Sequence, residues 1–257
     1  MHIICEPFTY AKDGCTDAQN DDAHYPLKQI EATGEEVFRC AVADGATESL
    51  FAGKWADRLA RAFARGRLSQ EKAPRSLASL ERLWAHFLNT RQLNWYAQGK
   101  VETGSYATLI GLELLSSTQS QSGRPEWSAT AVGDSCLFII RNGSLSKCLP
   151  LNSSDQFNNR PHLIYSNPSL NSHFDEWVIR EKGDLYLNDT FYLLTDALAY
   201  WFLRDSERGR RPWDLLEREF QYGTSPTFEQ WVQILRDDDP RLNDDATMLR
   251  IKILSTE

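Results

Sequence analysis

Hydrophobic and polar positions follow two different periods along this chain. Apolar runs that alternate with polar residues, or continue without interruption, predict strands, which are 37–43, 107–115, 127–132, 137–141, 191–195 and 246–254. Apolar residues spaced three and four positions apart predict helices, which are 51–63, 76–96, 198–203, 213–220 and 228–235. Thr47 or Ser49 is the expected N-cap of the first of these helices.

The order of these elements favours an α+β fold. Two long helices follow each other directly, and most strands come in hairpin-like succession, unlike the regular alternation of a doubly wound sheet. Two sheets that pack on each other, with helices outside, fit this order better. No repeat period is visible, so residues 1–257 are interpreted as a single domain. Residues 150–176 lack steady periodicity and predict a surface excursion, a candidate flap that sets specificity.

Charge and cysteine content narrow the class of protein. The chain has 28 Lys or Arg and 36 Asp or Glu among 257 residues, and its formal net charge of −8 disfavours binding to nucleic acid or anionic lipid. Five widely spaced cysteines without a CxxC pair favour a reduced, cytoplasmic setting. Neither a secretory leader nor an apolar run of bilayer-spanning length is visible, so no membrane association is expected.

Acidic residues stand where predicted strands end or begin. They belong to five short signatures, which are Asn20–Ala23, Val42–Gly45, Gly133–Ser135, Leu193–Asp196 and Asn243–Thr247. Carboxylates that converge at the rim of a sheet repel one another, and a hard divalent cation relieves that repulsion. Two such ions can share a water and bind phosphoryl oxygens. The pattern therefore indicates an all-oxygen, binuclear site for Mg²⁺ or Mn²⁺.

Taken in order, these signatures resemble the motifs of the PP2C-type (PPM) metal-dependent serine/threonine phosphatases. Gly104–Thr108 is similar to that family's strand rich in Gly, Ser and Thr, and the resemblance covers residues 8–254. It implies a single phosphatase domain of a divergent, bacterial-like branch. It also implies a four-layer αββα sandwich, in which two antiparallel sheets pack face to face between helix pairs.

The resemblance implies six metal ligands, which are Asp22, Asp44, Gly45, Asp134, Asp196 and Asp244. Asp44 would bridge the two ions, and Asp134 would serve a weaker third ion found in many members. Catalysis would run through a metal-activated water that attacks the phosphorus in line, held by Asp22, Asp44, Asp196 and Asp244. Asp21 and Asp245 are expected to contact these ligands without binding the ions themselves.

Three positions depart from the family's pattern. Asp17 stands where most members carry the Arg that grips the substrate phosphate, and Lys12 is the nearest upstream cation that could make that contact. Ala46 stands where some members have a His, which leaves the general acid unassigned. Ala197 replaces a Gly, a tolerable change if the backbone angle suits Ala.

The function expected from this resemblance is hydrolysis of phosphoserine and phosphothreonine in proteins. The substrate would be a phosphoprotein, such as a serine/threonine kinase or a kinase target. Two alternatives stay open. Because of the departures at Asp17, Ala46 and Ala197, the chain could be a pseudophosphatase that binds a partner through residues 150–176 and its acidic rim. It could also hydrolyse a small phosphomonoester, and the sequence leaves the oligomeric state undetermined.

Overall fold

The computed structural model describes residues 1–33, 37–68, 73–91, 99–100, 102–158, 160–220 and 227–255, with the backbone alone at 73 and 74. The strands in these ranges are β1 (His2–Tyr10), β2 (Asp22–Tyr25), β3 (Ile30–Thr33), β4 (Phe38–Asp44), β5 (Tyr106–Ala107), β6 (Leu109–Leu115), β7 (Glu126–Val132), β8 (Cys136–Arg141), β9 (Ser144–Leu149), β10 (Ile164–Tyr165), β11 (Ile179–Asp184), β12 (Thr190–Leu194) and β13 (Ala246–Leu254). The α-helices are α1 (Ala52–Ala64), α2 (Ala73–Asn89), α3 (Phe174–Trp177), α4 (Asp196–Glu207), α5 (Pro212–Phe220) and α6 (Phe228–Asp238).

Two large antiparallel sheets form the centre of the fold. The first has the strand order β3-β1-β13-β12-β8-β9, and the second has the order β11-β7-β6-β4-β2. Side-chain alternation decides what each strand packs against. In β4, for example, Cys40 and Val42 are buried between the two sheets, whereas Ala41 and Ala43 pack with α1.

Helices cover the outer face of each sheet. Apolar residues of α1 and α2 pack on the second sheet, and those of α4, α5 and α6 pack on the first. The layers are therefore helix, sheet, sheet and helix, and the predicted four-layer αββα sandwich is confirmed. Within the described ranges, no helix has the length and apolar composition needed to cross a bilayer.

The start of α1 differs from the prediction. The helix begins at Ala52 after Phe51, which adopts a left-handed conformation with φ 54° and makes no side-chain cap. Thr47 and Ser49 are therefore not the N-cap, because residues 46–50 turn back toward the loop before β5 instead. Leu50 N–H donates to the Gly104 carbonyl at 3.4 Å.

The second predicted helix also has different ends. It begins at Ala73 and ends at Asn89, short of the predicted residue 96. Residues 92–96 of that prediction lie outside the described residues. The aromatic side chain of Trp84 is buried and packs against Trp55 of α1, with the ring centres 5.4 Å apart.

The described part of residues 150–176 is largely irregular surface chain, as predicted. Two short 3-10 turns interrupt it, at Ser154–Gln156 and Pro168–Leu170, and β10 pairs with β5. Ile164 is buried, and its carbonyl accepts a hydrogen bond from the Trp55 indole at 2.8 Å. The segment is thus fastened to the helical layer in its middle.

Gly111 in β6 should be intolerant of a larger residue. A Cβ at this position would lie 2.5 Å from the Phe63 ring of α1. We expect Gly111→Ala to lower the free energy of unfolding by about 1–3 kcal/mol, because α1 must move away from the sheet. Urea denaturation measures the change. The double variant with Phe63→Leu should regain part of the loss, and full stability of Gly111→Ala alone would contradict this packing.

Candidate metal centre

Five of the predicted acidic residues meet at one edge of the sandwich. Asp22 begins β2 and Asp44 ends β4, and the two residues are paired across the antiparallel ladder. Asp134 lies in the turn between β7 and β8. Asp196 follows β12 as the first residue of α4, and Asp244 lies just before β13. Because β12 and β13 are antiparallel neighbours, the end of one meets the beginning of the other.

The carboxylates of this cluster repel one another. Burial raises the pKa of Asp44 well above its usual range, and the charges of Asp196 and Asp22 raise it further. Burial likewise raises the pKa of Asp22. Burial and the charge of Asp134 raise the pKa of Asp196 to about 7, and burial raises the pKa of Asp134 to about 6. At neutral pH a nearby positive charge would therefore stabilise the ionised form of these carboxylates.

Asp22 offers an oxygen that the protein itself does not use. Its Oδ2 accepts a hydrogen bond from the Thr195 hydroxyl at 3.0 Å. Its Oδ1 is buried and has no hydrogen-bond partner in the described part of the chain. A buried, unpaired carboxylate oxygen is costly, and oxygen donors are those that Mg²⁺ and Mn²⁺ prefer. The donor set therefore fits a hard divalent cation.

The carboxylate oxygens of the cluster do not surround a common point at which an ion could bind. In the described ranges, no group of three or more His, Cys, Asp or Glu side chains could hold a metal ion as it stands. The sheet register nevertheless brings these carboxyl groups to one edge, where the charges of the others raise the pKa of Asp44. The carboxylate side chains can turn about two bonds, whereas the sheets fix the backbone positions that bring them together. These side chains would have to rotate for several of the carboxylates to bind one cation.

Gly45 marks a place where two backbone segments approach too closely for a side chain. A Cβ here would lie 2.6 Å from the Asp21 carbonyl oxygen and 2.7 Å from the Ala52 carbonyl carbon. The Gly45 N–H donates to that same Asp21 oxygen at 3.1 Å. The Asp21 carboxylate in turn accepts from Gly53 N–H at 3.1 Å. Asp21 thus lies next to Asp22 and holds the first turn of α1.

Asp245 and Lys12 connect three loops at the rim. The Asp245 carboxylate accepts from the backbone N–H of Lys12 at 2.9 Å and of Asp21 at 2.8 Å. The Lys12 ammonium donates to the Thr47 hydroxyl at 2.7 Å and lies 3.7 Å from Asp244 and 3.9 Å from Asp245. Burial lowers the pKa of Lys12, but the charges of Asp245 and Asp244 outweigh it and the pKa is raised. Lys12 is therefore a charged neighbour of the acidic cluster.

Arg236 is a residue that sequence analysis missed. It lies on the buried face of α6 and donates to the Ala11 carbonyl at 3.1 Å, the Asp13 carboxylate at 2.9 Å and the Asp244 carbonyl at 2.6 Å. It thereby fixes the backbone that carries Asp244. The available signal is its position four residues after Val232, where a charge falls on the apolar face of the helix.

A cavity of about 650 Å³ opens beside this edge. Asp134 and Asp196 line one side, and Tyr200 and Arg241 line another. The Arg241 guanidinium lies 4.9 Å from the centre of the Tyr200 ring and donates to the Asp239 carboxylate at 3.0 and 2.8 Å. The cavity therefore combines carboxylates with a fixed cation and an aromatic surface.

The three departures from the family's pattern lie around the same edge. Asp17 lines a separate cavity of about 290 Å³ that also borders Asp22. Ala46 N–H donates to the Tyr106 carbonyl at 3.1 Å. Ala197 lies in the first turn of α4, where the helical backbone suits Ala, and its N–H donates to the Asp196 carboxylate at 2.6 Å.

Solved structures of bacterial phosphatases share this architecture. The catalytic domain of the serine/threonine phosphatase PstP with two manganese ions matches at TM-score 0.54 and 16% identity, over 98% of this chain and 100% of that chain. The Mycobacterium tuberculosis phosphatase PstP/Ppp matches at TM-score 0.56 and 14% identity, over 99% and 100%. The S. agalactiae serine/threonine phosphatase matches at TM-score 0.54 and 13% identity, over 98% and 99%.

These matches define the fold class. No family model and no curated protein matches the sequence. The chain has the fold of the bacterial PP2C-type (PPM) serine/threonine phosphatases, as the ordered acidic signatures predict. At these identities the likeness concerns the fold, and the chemistry has to be argued from the residues themselves.

Replacing Asp44 with Asn should stabilise the metal-free chain at neutral pH. Because the pKa of Asp44 is raised in the folded state, its contribution to stability is lost as the pH rises from about 4 through the folded-state value. Asn avoids that loss. In EDTA at pH 7.5 we expect a Tm about 2–8 °C above wild type, a gain that shrinks as the pH falls towards 4.

The matched control for this measurement is Asp237→Asn, an exposed acid near the end of α6. This substitution should leave Tm unchanged at every pH. A lower Tm for Asp44→Asn than for wild type at pH 7.5 would contradict the repulsion described here.

Proposed function

We propose that the chain is a metal-dependent phosphatase that hydrolyses phosphoserine and phosphothreonine in proteins. The observation that carries the proposal is that mutually repelling carboxylates converge at one edge of a PP2C-type sandwich. These carboxylates belong to Asp22, Asp44, Asp134, Asp196 and Asp244. A purely structural role would gain nothing from burying like charges together. A substrate such as a serine/threonine kinase or its target fits this class of reaction.

The proposed metal ligands are Asp22, Asp44, Gly45, Asp134, Asp196 and Asp244. Two bound Mg²⁺ or Mn²⁺ ions, or three, would supply positive charge for phosphoryl oxygens and lower the pKa of a coordinated water. Asp44 suits the bridging position, because its pKa responds to both Asp22 and Asp196. The Gly45 backbone is held by its hydrogen bond to Asp21, which supports a fixed carbonyl ligand. Manganese in the PstP structure supports this choice of ion.

Two cations could bind the phosphate in place of the family's arginine. Lys12 lies at the rim beside Asp244, within reach of a group bound at the carboxylates. Arg241 lines the 650 Å³ cavity, where Asp239 holds its guanidinium in a fixed orientation. Another part of the cavity wall is formed by Ser154, Asp155, Phe157 and Asn158, which supports a role of the 150–176 segment in substrate specificity. A cavity of this size could take side chains that flank a phosphorylated residue.

A pseudophosphatase is the second candidate, and the placement of Lys12 favours it. The ammonium lies 3.7 Å from Asp244 and 3.9 Å from Asp245, so it already neutralises part of the charge that a cation would neutralise. In that function the chain would bind a partner without hydrolysis.

Hydrolysis of a phosphothreonine peptide should require both Mn²⁺ and the acidic cluster. We expect Asp44→Asn and Asp196→Asn each to lower kcat/KM by roughly 100-fold or more, because each would remove a proposed metal ligand. Asp237→Asn is the matched control and should keep full activity. Hydrolysis of p-nitrophenyl phosphate alone would favour a small-molecule phosphatase, and no manganese-dependent hydrolysis of either compound would favour the pseudophosphatase.

Lys12→Met tests whether this lysine binds the substrate. If its ammonium contacts the phosphate, KM for the phosphopeptide should rise about tenfold or more at saturating Mn²⁺, because a charge-assisted hydrogen bond is lost. Lys182→Met, at an exposed position in β11, should leave KM unchanged. An unchanged KM for Lys12→Met, together with a lower Tm in EDTA, would show that Lys12 only neutralises Asp244 and Asp245.

A further inference from the structure

A groove rich in positive charge lies between α1 and α2, on the helical layer over the second sheet. Its cations, which define the basic groove, are Lys54, Arg58, Arg61, Arg65 and Arg67. The first three lie on one face of α1 and Arg65 follows as the C-cap residue, so that these four span about 16 Å. Leu80, Leu83, Trp84 and Phe87 of α2 form the opposite wall, and the cavity between the helices measures about 430 Å³.

Within the described part of the chain, the positive charge of the basic groove is only partly balanced by carboxylates. Asp57 is the one carboxylate among its described lining residues, and it pairs with Arg61 at 2.6 Å. The four other cations have no salt bridge to a described carboxylate. Lys54 and Arg58, and likewise Arg61 and Arg65, are like charges four residues apart, which destabilises a helix.

This local charge contrasts with a net charge of −8 for the whole chain. A cationic stripe that weakens its own helix on an otherwise acidic protein is the arrangement expected of a surface complementary to an anionic partner. The contrast also reduces unspecific attraction to polyanions, since the rest of the molecule repels them.

The walls of the basic groove favour a protein segment over a nucleic acid. The Arg58 guanidinium lies 5.2 Å from the centre of the Trp84 ring, and the Arg91 guanidinium lies 4.3 Å from that of Phe87. Trp84 is buried, and the Phe87 ring is contacted both by Trp84 and by the Arg91 guanidinium, so little ring surface is left for the base stacking that single-strand binding uses. Leu83 is 52% exposed at the edge and offers an apolar contact instead.

We propose that the basic groove binds an acidic, amphipathic segment of a partner protein. Acidic side chains of that segment would pair with the α1 cations, and its apolar side chains would pack on Leu83 and the wall of α2. The proposal does not rest on the phosphatase activity. The same helix α1 packs against the candidate metal centre at its first turn, where Gly53 N–H donates to Asp21.

The test uses the full chain and a labelled synthetic peptide of about 15 residues, in which Glu and Leu occupy adjacent faces of a helix. Fluorescence anisotropy measures Kd at low and moderate salt. The binding variant is Lys54→Gln with Arg61→Gln and Arg65→Gln. The matched control replaces three exposed cations elsewhere, as Lys28→Gln, Arg124→Gln and Lys182→Gln. A single-stranded DNA of equal length is the competing ligand.

We expect wild type and control to bind the peptide with the same Kd, and this Kd should rise with salt. The Kd of the groove variant should be at least tenfold higher. The groove variant should unfold at a temperature close to that of wild type, because the relief of like-charge repulsion offsets the loss of the Asp57–Arg61 salt bridge. Equal binding by wild type and groove variant, or equal losses in both triple variants, would overturn the proposal. Tighter binding of DNA than of peptide, abolished in the groove variant, would also overturn it and indicate a nucleic-acid site.

Discussion

Repulsion between carboxylates buried at one edge of the sandwich is the constraint on which the candidate site depends. Burial alone would favour neutral Asp22, Asp44 and Asp196, and their proximity strengthens that tendency. The protein compensates only in part, through the Thr195 hydroxyl on Asp22 and the ammonium of Lys12 at the rim. An arrangement that is costly by itself would become favourable with a bound divalent cation, and this is the thermodynamic basis of the proposed function.

The surroundings of the cluster are rigid even though its carboxylates must turn. Arg236 fixes the backbone before β13, Asp245 joins the loops after β1 and before β2, and Gly45 allows α1 to pack directly on the acidic loop. Such a framework fixes the backbone positions that carry the carboxylates. It also connects the site to α1, so the basic groove and the candidate metal centre share one helix.

The sequence predicts those elements best whose local hydrophobic pattern agrees with their packing in the fold. The buried strands alternate or run apolar, and the acids at their ends predicted which edge would carry the site. The edge strand β11 (Ile179–Asp184) escaped notice because its half-exposed, charged residues show no apolar period. The left-handed Phe51 and the buried Arg236 also escaped, since the first depends on packing around Gly45 and the second on contacts far apart in the chain.

Manganese binding tests the central claim most directly, since it needs neither a substrate nor turnover. Isothermal titration calorimetry at pH 7.5 measures the affinity and stoichiometry of Mn²⁺ binding to chelator-treated wild type and Asp44→Asn. We expect saturable binding of about two ions per wild-type chain, with an affinity at least about tenfold lower in the variant. No binding to wild type, or equal binding to both proteins, would contradict the claim that the carboxylate cluster is a metal centre.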